Sequence, residues 1–319
     1  MGMMHAFSSR CFGAAEDMIR GTGLRRSRLG RSVVAGLNAV GQFGLAVYFE
    51  IKRRPMRVQG QQIDCRVGAK GSFRSTLELV LDRYEPETTK LFRRLLQPGM
   101  TVMDIGAHAG YFSLIGASCV GPAGTVYAFE PFPASFQHLQ RNIALNGYKN
   151  IHAVRKAVSD KTGVHKLLVN PKGSDRNSLF AGEIPWEADS PEVETTRLDD
   201  FLEACGWPRV DLIKMDIEGA EHAALAGMKQ TFEKCGVRHI ITEFSPPSLR
   251  AAGCDPQEFL QELADAGFSL YTIEGEVEPK PLNPSGFSGL IQILQDRGGT
   301  NLLCENAQLT RRGNQWVTN

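Results

Sequence analysis

A chain of 319 residues with 42% apolar and 8% aromatic content is globular, which excludes collagen-like, low-complexity and wholly disordered classes. With 36 Lys and Arg against 35 Asp and Glu, the formal charge of +1 leaves no footprint for nucleic acid as a partner. The charge is unevenly placed, however: residues 1–60 hold ten basic and three acidic residues (+7), the remainder 26 and 32 (−6).

The basic head comes first. Its first thirty residues lack the unbroken apolar core and small-residue cleavage site of a secretory signal. Ala6 stands where a myristoylation signal needs Ser or Thr. The apolar stretch 32–51 approaches the ~20 residues that span a bilayer. It lies between Arg25, Arg26, Arg28 and Arg31 on one side and Lys52, Arg53 and Arg54 on the other. Asn38, Gln42, Glu50 and three glycines argue against a spanning helix, and positive charge at both ends sets no orientation. Residues 1–55 are therefore expected to form a basic helical extension packed on its own protein, with peripheral membrane contact as the alternative. Seven scattered cysteines (Cys11, Cys65, Cys119, Cys205, Cys235, Cys254 and Cys304) show no C-x-x-C and no zinc spacing, which predicts a reduced, cytoplasmic chain.

Residues 56–81 read as β-rich, punctuated by Gly60, Gly68 and Gly71. A helix is predicted over 86–96, with Pro86 in its first turn and Pro98-Gly99 ending it. Then strands and helices alternate. Strands are expected at 101–105, 125–129, 151–158, 210–216, 239–244 and 268–273, with a closing strand at 289–295. Helices are expected at 111–120, 133–146, 199–205, 220–235 and 256–266. Residues 170–192 read as a long polar surface loop, in which Phe180 and Trp186 suit either an acceptor lid or an anchor on the core. This alternation predicts an α/β fold: a parallel sheet covered on both faces, with ligands at the carboxyl ends of its strands. One catalytic domain is expected over 56–319.

The strand tips carry the chemistry. Val102-Met103-Asp104-Ile105 closes in Asp104 and runs into the turn Gly106-Ala107-His108-Ala109-Gly110. Gly106 permits a tight turn, Gly110 a close approach of helix to sheet, and the helix start offers unpaired N–H groups. The G-x-x-x-G spacing differs from the G-x-G-x-x-G of dinucleotide folds, so a nicotinamide dehydrogenase is disfavoured; Asp104 instead suits a cationic amino group. The second strand ends Phe129-Glu130-Pro131, where an acid can accept from both hydroxyls of a ribose. Ala157 and Val158 are placed to flank an adenine ring, and Asp160 to meet its amino group. Ser159, Asn177 and Ser178 are expected at the border of the cleft. Leu212-Ile-Lys-Met-Asp216-Ile-Glu218-Gly219-Ala-Glu221 sets three carboxylates within six residues. Asp216 is expected to face the cleft, whereas Glu218 and Glu221 also read as favouring the next helix's N-terminus.

Five motifs in order, Asp104-Ile-Gly-Ala-His-Ala-Gly110, Phe129-Glu-Pro131, Thr196-Arg-Leu-Asp-Asp-Phe-Leu202, Ile213-Lys-Met-Asp-Ile-Glu-Gly-Ala-Glu221 and Thr242-Glu-Phe244, resemble the FkbM family of S-adenosylmethionine (AdoMet)-dependent methyltransferases. The likeness covers about 80–305, including Tyr84-Glu-Pro-Glu-Thr88 and Thr300-Asn-Leu-Leu303. His108 departs from the pattern, where the general motif has Gly and this family often Asn. The resemblance implies a class I, Rossmann-like, doubly wound sheet of seven strands, one of them antiparallel, here with an N-terminal helical and β extension. It implies AdoMet as cofactor, bound through Asp104, Gly106, Ala107, His108, Gly110, Glu130, Pro131, Ala157, Val158 and Asp160. It further implies methylation of a hydroxyl on a small-molecule, glycan or polyketide acceptor. Asp216, and after it Glu243 on the next strand tip, are the candidate catalytic bases; His108 and His222 are lesser ones. Some oxygen methyltransferases use a divalent metal, but the spacing of Asp216 and Glu243 carries no ligand signature and none is expected. A non-catalytic, membrane-bound scaffold is the rival from another class.

Overall fold

The computed structural model describes residues 55–64, 79, 84–169, 177–179, 190–273, 278–306 and 308–309. The basic head up to residue 54, Phe180 and Trp186 lie outside the described residues. The chain divides into two compact units, 1–66 with 71–84 and 67–70 with 85–319. Within the first, β1 (Met56–Val58) and β2 (Gln61–Ile63) form an antiparallel hairpin. Its two-residue loop, Gln59-Gly60, has positive φ at both positions, the turn whose twist matches paired strands. Further along the stretch read as β-rich, Leu79 is helical.

The second unit is built on one sheet. Its strands are β3 (Thr101–Ile105), β4 (Thr125–Phe129), β5 (Ile151–Val154), β9 (Leu212–Met215), β10 (His239–Phe244), β11 (Phe268–Ile273), β12 (Lys280–Leu282) and β13 (Thr300–Asn306). The spatial order is β12-β11-β13-β10-β9-β3-β4-β5. β5, β4, β3, β9 and β10 run parallel, and β13 runs antiparallel to both β10 and β11. Seven strands with one reversed are those the resemblance implies; β12 adds a short eighth at the edge. A small separate sheet joins β6 (Ala157–Val158), β8 (Glu192–Thr196) and β7 (Gly163–Lys166). The expected strand over 151–158 is thus two strands in different sheets.

Helices cover both faces. On one, α2 (Tyr111–Val120) lies against the face that carries Asp104, and α1 (Pro86–Leu95) packs on α2 through an edge-to-face contact of Phe92 and Phe112 at 5.2 Å. On the other, α4 (Leu198–Ala204) meets Phe129 through Phe201 at 5.0 Å, beside Met103, Ile105, Ile213 and Met215 of the core. α3 (Pro133–Asn146) leads to β5.

Two expectations are corrected. The span 220–235 is not one helix but α5 (Glu221–Ala226) and α6 (Lys229–Lys234). At the break, a Cβ on Gly227 would lie 2.1 Å from the Ser159 carbonyl, and buried Asp199 accepts from the N–H groups of Gln230 and Thr231 at the start of α6. The Thr196–Leu202 motif is therefore a brace between elements. The second correction concerns 289–295, which is not a strand. It belongs to α9 (Phe287–Gln295), whose buried residues Phe287, Leu290, Ile291 and Leu294 follow helical spacing. The true closing strand is β13. α7 (Pro246–Ala251) and α8 (Pro256–Asp265) complete the unit. Among the described residues no helix is long and apolar enough to cross a membrane.

Candidate active site

The turn after β3 is built by constraint from three sides. Gly106 has φ +87°, and a Cβ there would lie 2.0 Å from the backbone oxygen of Asp216. Its N–H and that of Ala107 both donate to the Phe129 carbonyl, at 3.0 and 2.9 Å, tying the tips of β3 and β4 together. The buried Asn142 of α3 donates to the Ala109 carbonyl at 2.8 Å. His108 sits at φ +48°, a left-handed conformation. That explains why Gly or Asn suits the position: both enter this region at little cost.

Glu130, at the tip of β4, closes the turn. Its Oε2 accepts from the His108 N–H and its Oε1 from the Phe132 N–H, each at 2.8 Å. Burial pushes the carboxyl up to about 7 against these two hydrogen bonds, with the charge of Asp104 adding to the rise. Asp104 pairs in register with Ala128, so alternation puts Asp104 and Glu130 on the same side of the sheet. The two are not equally accessible. Asp104 is only 2% exposed, its Oδ2 accepts from Ser113 Oγ of α2 at 2.5 Å, and burial raises its carboxyl to about 6.

A pocket opens at this edge. It is lined by Gly106, His108, Phe129, Glu130, Pro131, Ala157 and Val158 on one side and by Asn177, Ser178, Asp216, Ile217 and Glu218 on the other. The lining joins apolar Phe129, Ala157 and Val158 to the buried acid Glu130.

At the tip of β9 the structure reveals a residue that the sequence conceals. Lys214 is 1% exposed inside the run Leu212–Met215, and its Nζ donates to Asp216 Oδ2 at 3.2 Å. It lies over the Phe112 ring at 4.9 Å. Burial alone would lower its pKa; the charges of Asp216, Glu85 and Asp104 outweigh that and raise it. Glu221 accepts from the N–H groups of Ile217 at 3.0 Å and Gly219 at 2.8 Å, so it shapes the turn that presents Asp216 and Glu218. The two family-like segments at the ends of the likeness also meet: Asn301 Nδ2 donates to Glu85 Oε2 at 2.8 Å and to Thr88 Oγ1 at 3.0 Å. Asn301 is the register partner of Glu243 on β10. Burial pushes the Glu243 carboxyl well up, and the charges of Asp216, Glu218 and Glu221 add to it. One carboxylate oxygen each of Asp216, Glu218 and Glu243 lie within 4.8 Å of one another.

The structure therefore brings Gly106, His108, Glu130, Pro131, Ala157, Val158 and Asp216 to one pocket, with Asn177 and Ser178. Asp104, Ala107, Gly110 and Glu243 are absent from the lining: Asp104 lies buried on β3, Ala107 and Gly110 belong to the turn itself, and a Glu243 oxygen lies within 4.8 Å of one of Asp216. Asp160 does not line the pocket: it accepts from Ser159 Oγ at 3.2 Å, lies 3.8 Å from Lys161 and keeps its side chain 44% exposed. His222 is also absent from the lining, 3.3 Å from Glu262 of α8.

Comparison with known proteins identifies the family. The model of the methyltransferase FkbM domain matches residues 104–270, just over half of the chain. Methyltransferase sdnD of Sordaria araneosa is 30% identical over 56% of this chain and 77% of its own. The 2-O-methyltransferase NoeI of Sinorhizobium fredii is 30% identical over 49% of this chain and 67% of its own. The 31-O-demethyl-FK506 methyltransferase FkbM of Streptomyces tacrolimicus is 27% identical over 46% and 66%. With the strand order, the glycine turn and the two strand-tip acids already in place, the chain belongs to the FkbM family of AdoMet-dependent methyltransferases.

Proposed function

We propose that this protein methylates a hydroxyl oxygen of a sugar, glycan or polyketide-type small molecule. Bound AdoMet supplies a methyl group on a sulfonium sulfur, which an acceptor oxygen displaces in line. The residues present suit that ligand. Glu130 receives the ribose diol, Ala157, Val158 and Phe129 enclose the adenine, and the glycine turn leaves room for the methionine chain. Asp104, sealed behind the turn, acts on the amino end through the negative field it adds there. The relatives named as oxygen methyltransferases, NoeI and the FK506 enzyme, support a hydroxyl acceptor.

The chain's own work is alignment, exclusion of water and handling of one proton. Asp216 is the base: it lines the pocket and is held in place by Lys214. Glu243 is the weaker candidate, because burial and neighbouring negative charge keep its proton on. The single observation that carries the reading is the buried Glu130 carboxylate at the floor of a strand-tip pocket shared with Asp216.

Calorimetric titration with AdoMet and, separately, with NAD tests the first half. Stoichiometric AdoMet binding that Glu130→Ala weakens at least about tenfold is expected. Tighter binding of NAD would overturn it. For the second half, transfer of radiolabelled methyl to a panel of glycans and hydroxylated polyketides is the readout. Asp216→Asn should bind AdoMet normally and lose about a hundredfold in turnover; an unchanged turnover would remove Asp216 as the base.

A further inference from the structure

Around the tip of β9 carboxylates crowd together. Lys214 is a cation that acts on Asp216, Asp104 and Glu85, and it acts on Glu243 beside the carboxylates of Asp216, Glu218 and Glu221. Asp216 accepts from Lys214 through Oδ2. Glu218 stands beside it at φ +54°, held there by the Glu221-braced turn. Glu243 Oε2 is buried and has no hydrogen-bond partner among the described residues. An orphaned carboxylate oxygen in such a place forfeits its hydration with no return. Three carboxylate oxygens within 4.8 Å of one another have the hardness and spacing that a small divalent cation takes up, keeping the rest of its shell as water or ligand oxygen.

We propose that Asp216, Glu218 and Glu243 form a site for one hard divalent cation of the Mg2+ and Mn2+ class, at the acceptor side of the pocket. A cation there would be held by one carboxylate oxygen of each of the three residues. Asp216 and Glu218 line the pocket, so a cation held by them would border it. A cation held there would make an acceptor hydroxyl more acidic and ease the passage of its proton to Asp216. This chemical use deepens the proposed function and rests on it, whereas cation binding itself does not.

The test is therefore made on the full-length protein, stripped with chelator and without AdoMet. Mn2+ is titrated and read by its electron paramagnetic resonance signal, with Mg2+ as competitor. One Mn2+ per chain, displaced by Mg2+, is expected, with Glu243→Gln weakening it at least about tenfold. Glu218→Gln, on a more accessible residue, should weaken it in the same sense and covers the case in which the Glu243 variant does not fold. Glu203→Gln, on α4 and outside the cluster, should leave it unchanged. No binding up to about 5 mM Mn2+, or binding that neither substitution alters, overturns the site. AdoMet titration of the same preparations reports separately on the methyltransferase reading, so one can fail while the other stands.

Discussion

At Glu130 a single carboxyl has two backbone donors and still sits high, at about 7, because burial outweighs both. A ribose diol adds two more donors and stabilises the charged form, so AdoMet binding should lower this pKa and release a proton where the free carboxyl is partly protonated. At pH 6.5, titrations in buffers of different ionisation enthalpy should show more proton release for the wild type than for Glu130→Gln, and the difference should vanish by pH 8.5. Equal release from both proteins at pH 6.5 would show that the diol does not sit on this carboxylate. His108 makes its contribution to the same contact through its backbone N–H, at φ +48°. Gly or Asn at 108 keeps that N–H and eases the left-handed backbone. His108→Gly should therefore retain AdoMet binding within about threefold and raise stability by up to about 1 kcal/mol. His108→Val, β-branched at positive φ, should lower both; denaturant midpoints and calorimetry decide it.

The elements make these contacts possible by where they stop. Gly106 is the junction: its missing Cβ lets the Asp216 carbonyl sit against the turn after β3, so the tips of β3 and β9 approach within one backbone thickness. Gly106→Ala brings a methyl group within 2.0 Å of backbone at φ +87°, which neither strand can yield to without breaking the Asp216 N–H bond to Ile105. A loss of about 4 kcal/mol or more, with AdoMet binding abolished, is expected from denaturation and titration; a stable variant that still binds would show that the two tips need not be in contact. This junction was legible in the sequence, since Asp-x-Gly after an apolar run names its own turn. So were β3, β4, β10 and β11 and helices α2 and α3, each bounded by Gly, Pro or a polar pair. The run Gly289 to Gln295 misled because a short apolar stretch fits either period, and the helix shows only when Phe287 is counted with Leu290, Ile291 and Leu294. Gly227 was hidden for another reason: what breaks the helix there is the Ser159 carbonyl, far away in the chain. Lys214 and the Glu85–Asn301 pair were hidden likewise. No motif assigns a role to a lysine between Ile213 and Met215, and only the sheet order puts it among three acids. Residues 85 and 301 meet because β13 returns into the sheet beside β10.

Across the whole molecule, burying acids for chemistry should leave a signature in stability. Glu130 and Glu221, both at about 7, and Asp104, at about 6, have carboxyls raised chiefly by burial. The folded protein therefore holds these protons more tightly than the unfolded chain. Their stabilisation is complete below the unfolded carboxyl range and is lost as pH rises through 6 to 7. One buried base acts oppositely. Burial, then the charge of Arg238, lowers His239 to about 4 despite Asp211, and Glu305 lies 3.8 Å away. Its contribution is present above the imidazole's unfolded value near 6.5 and disappears as pH falls toward 4. Between pH 8 and 6 the acids win: Glu130 and Glu221 together gain about 3 kcal/mol and Asp104 adds less than about 1, while His239 loses about 1, a net rise of about 2 kcal/mol. Urea unfolding of the AdoMet-free protein in chelated buffer should show this rise, against the usual loss of carboxylate ion pairs on acidification. Glu130→Gln should remove about half of it and His239→Asn should enlarge it. If stability were flat or fell from pH 8 to 6, and neither substitution changed the slope, these carboxyls would be ionised in the folded state as freely as in water, and the dry, negatively charged strand-tip site would not exist.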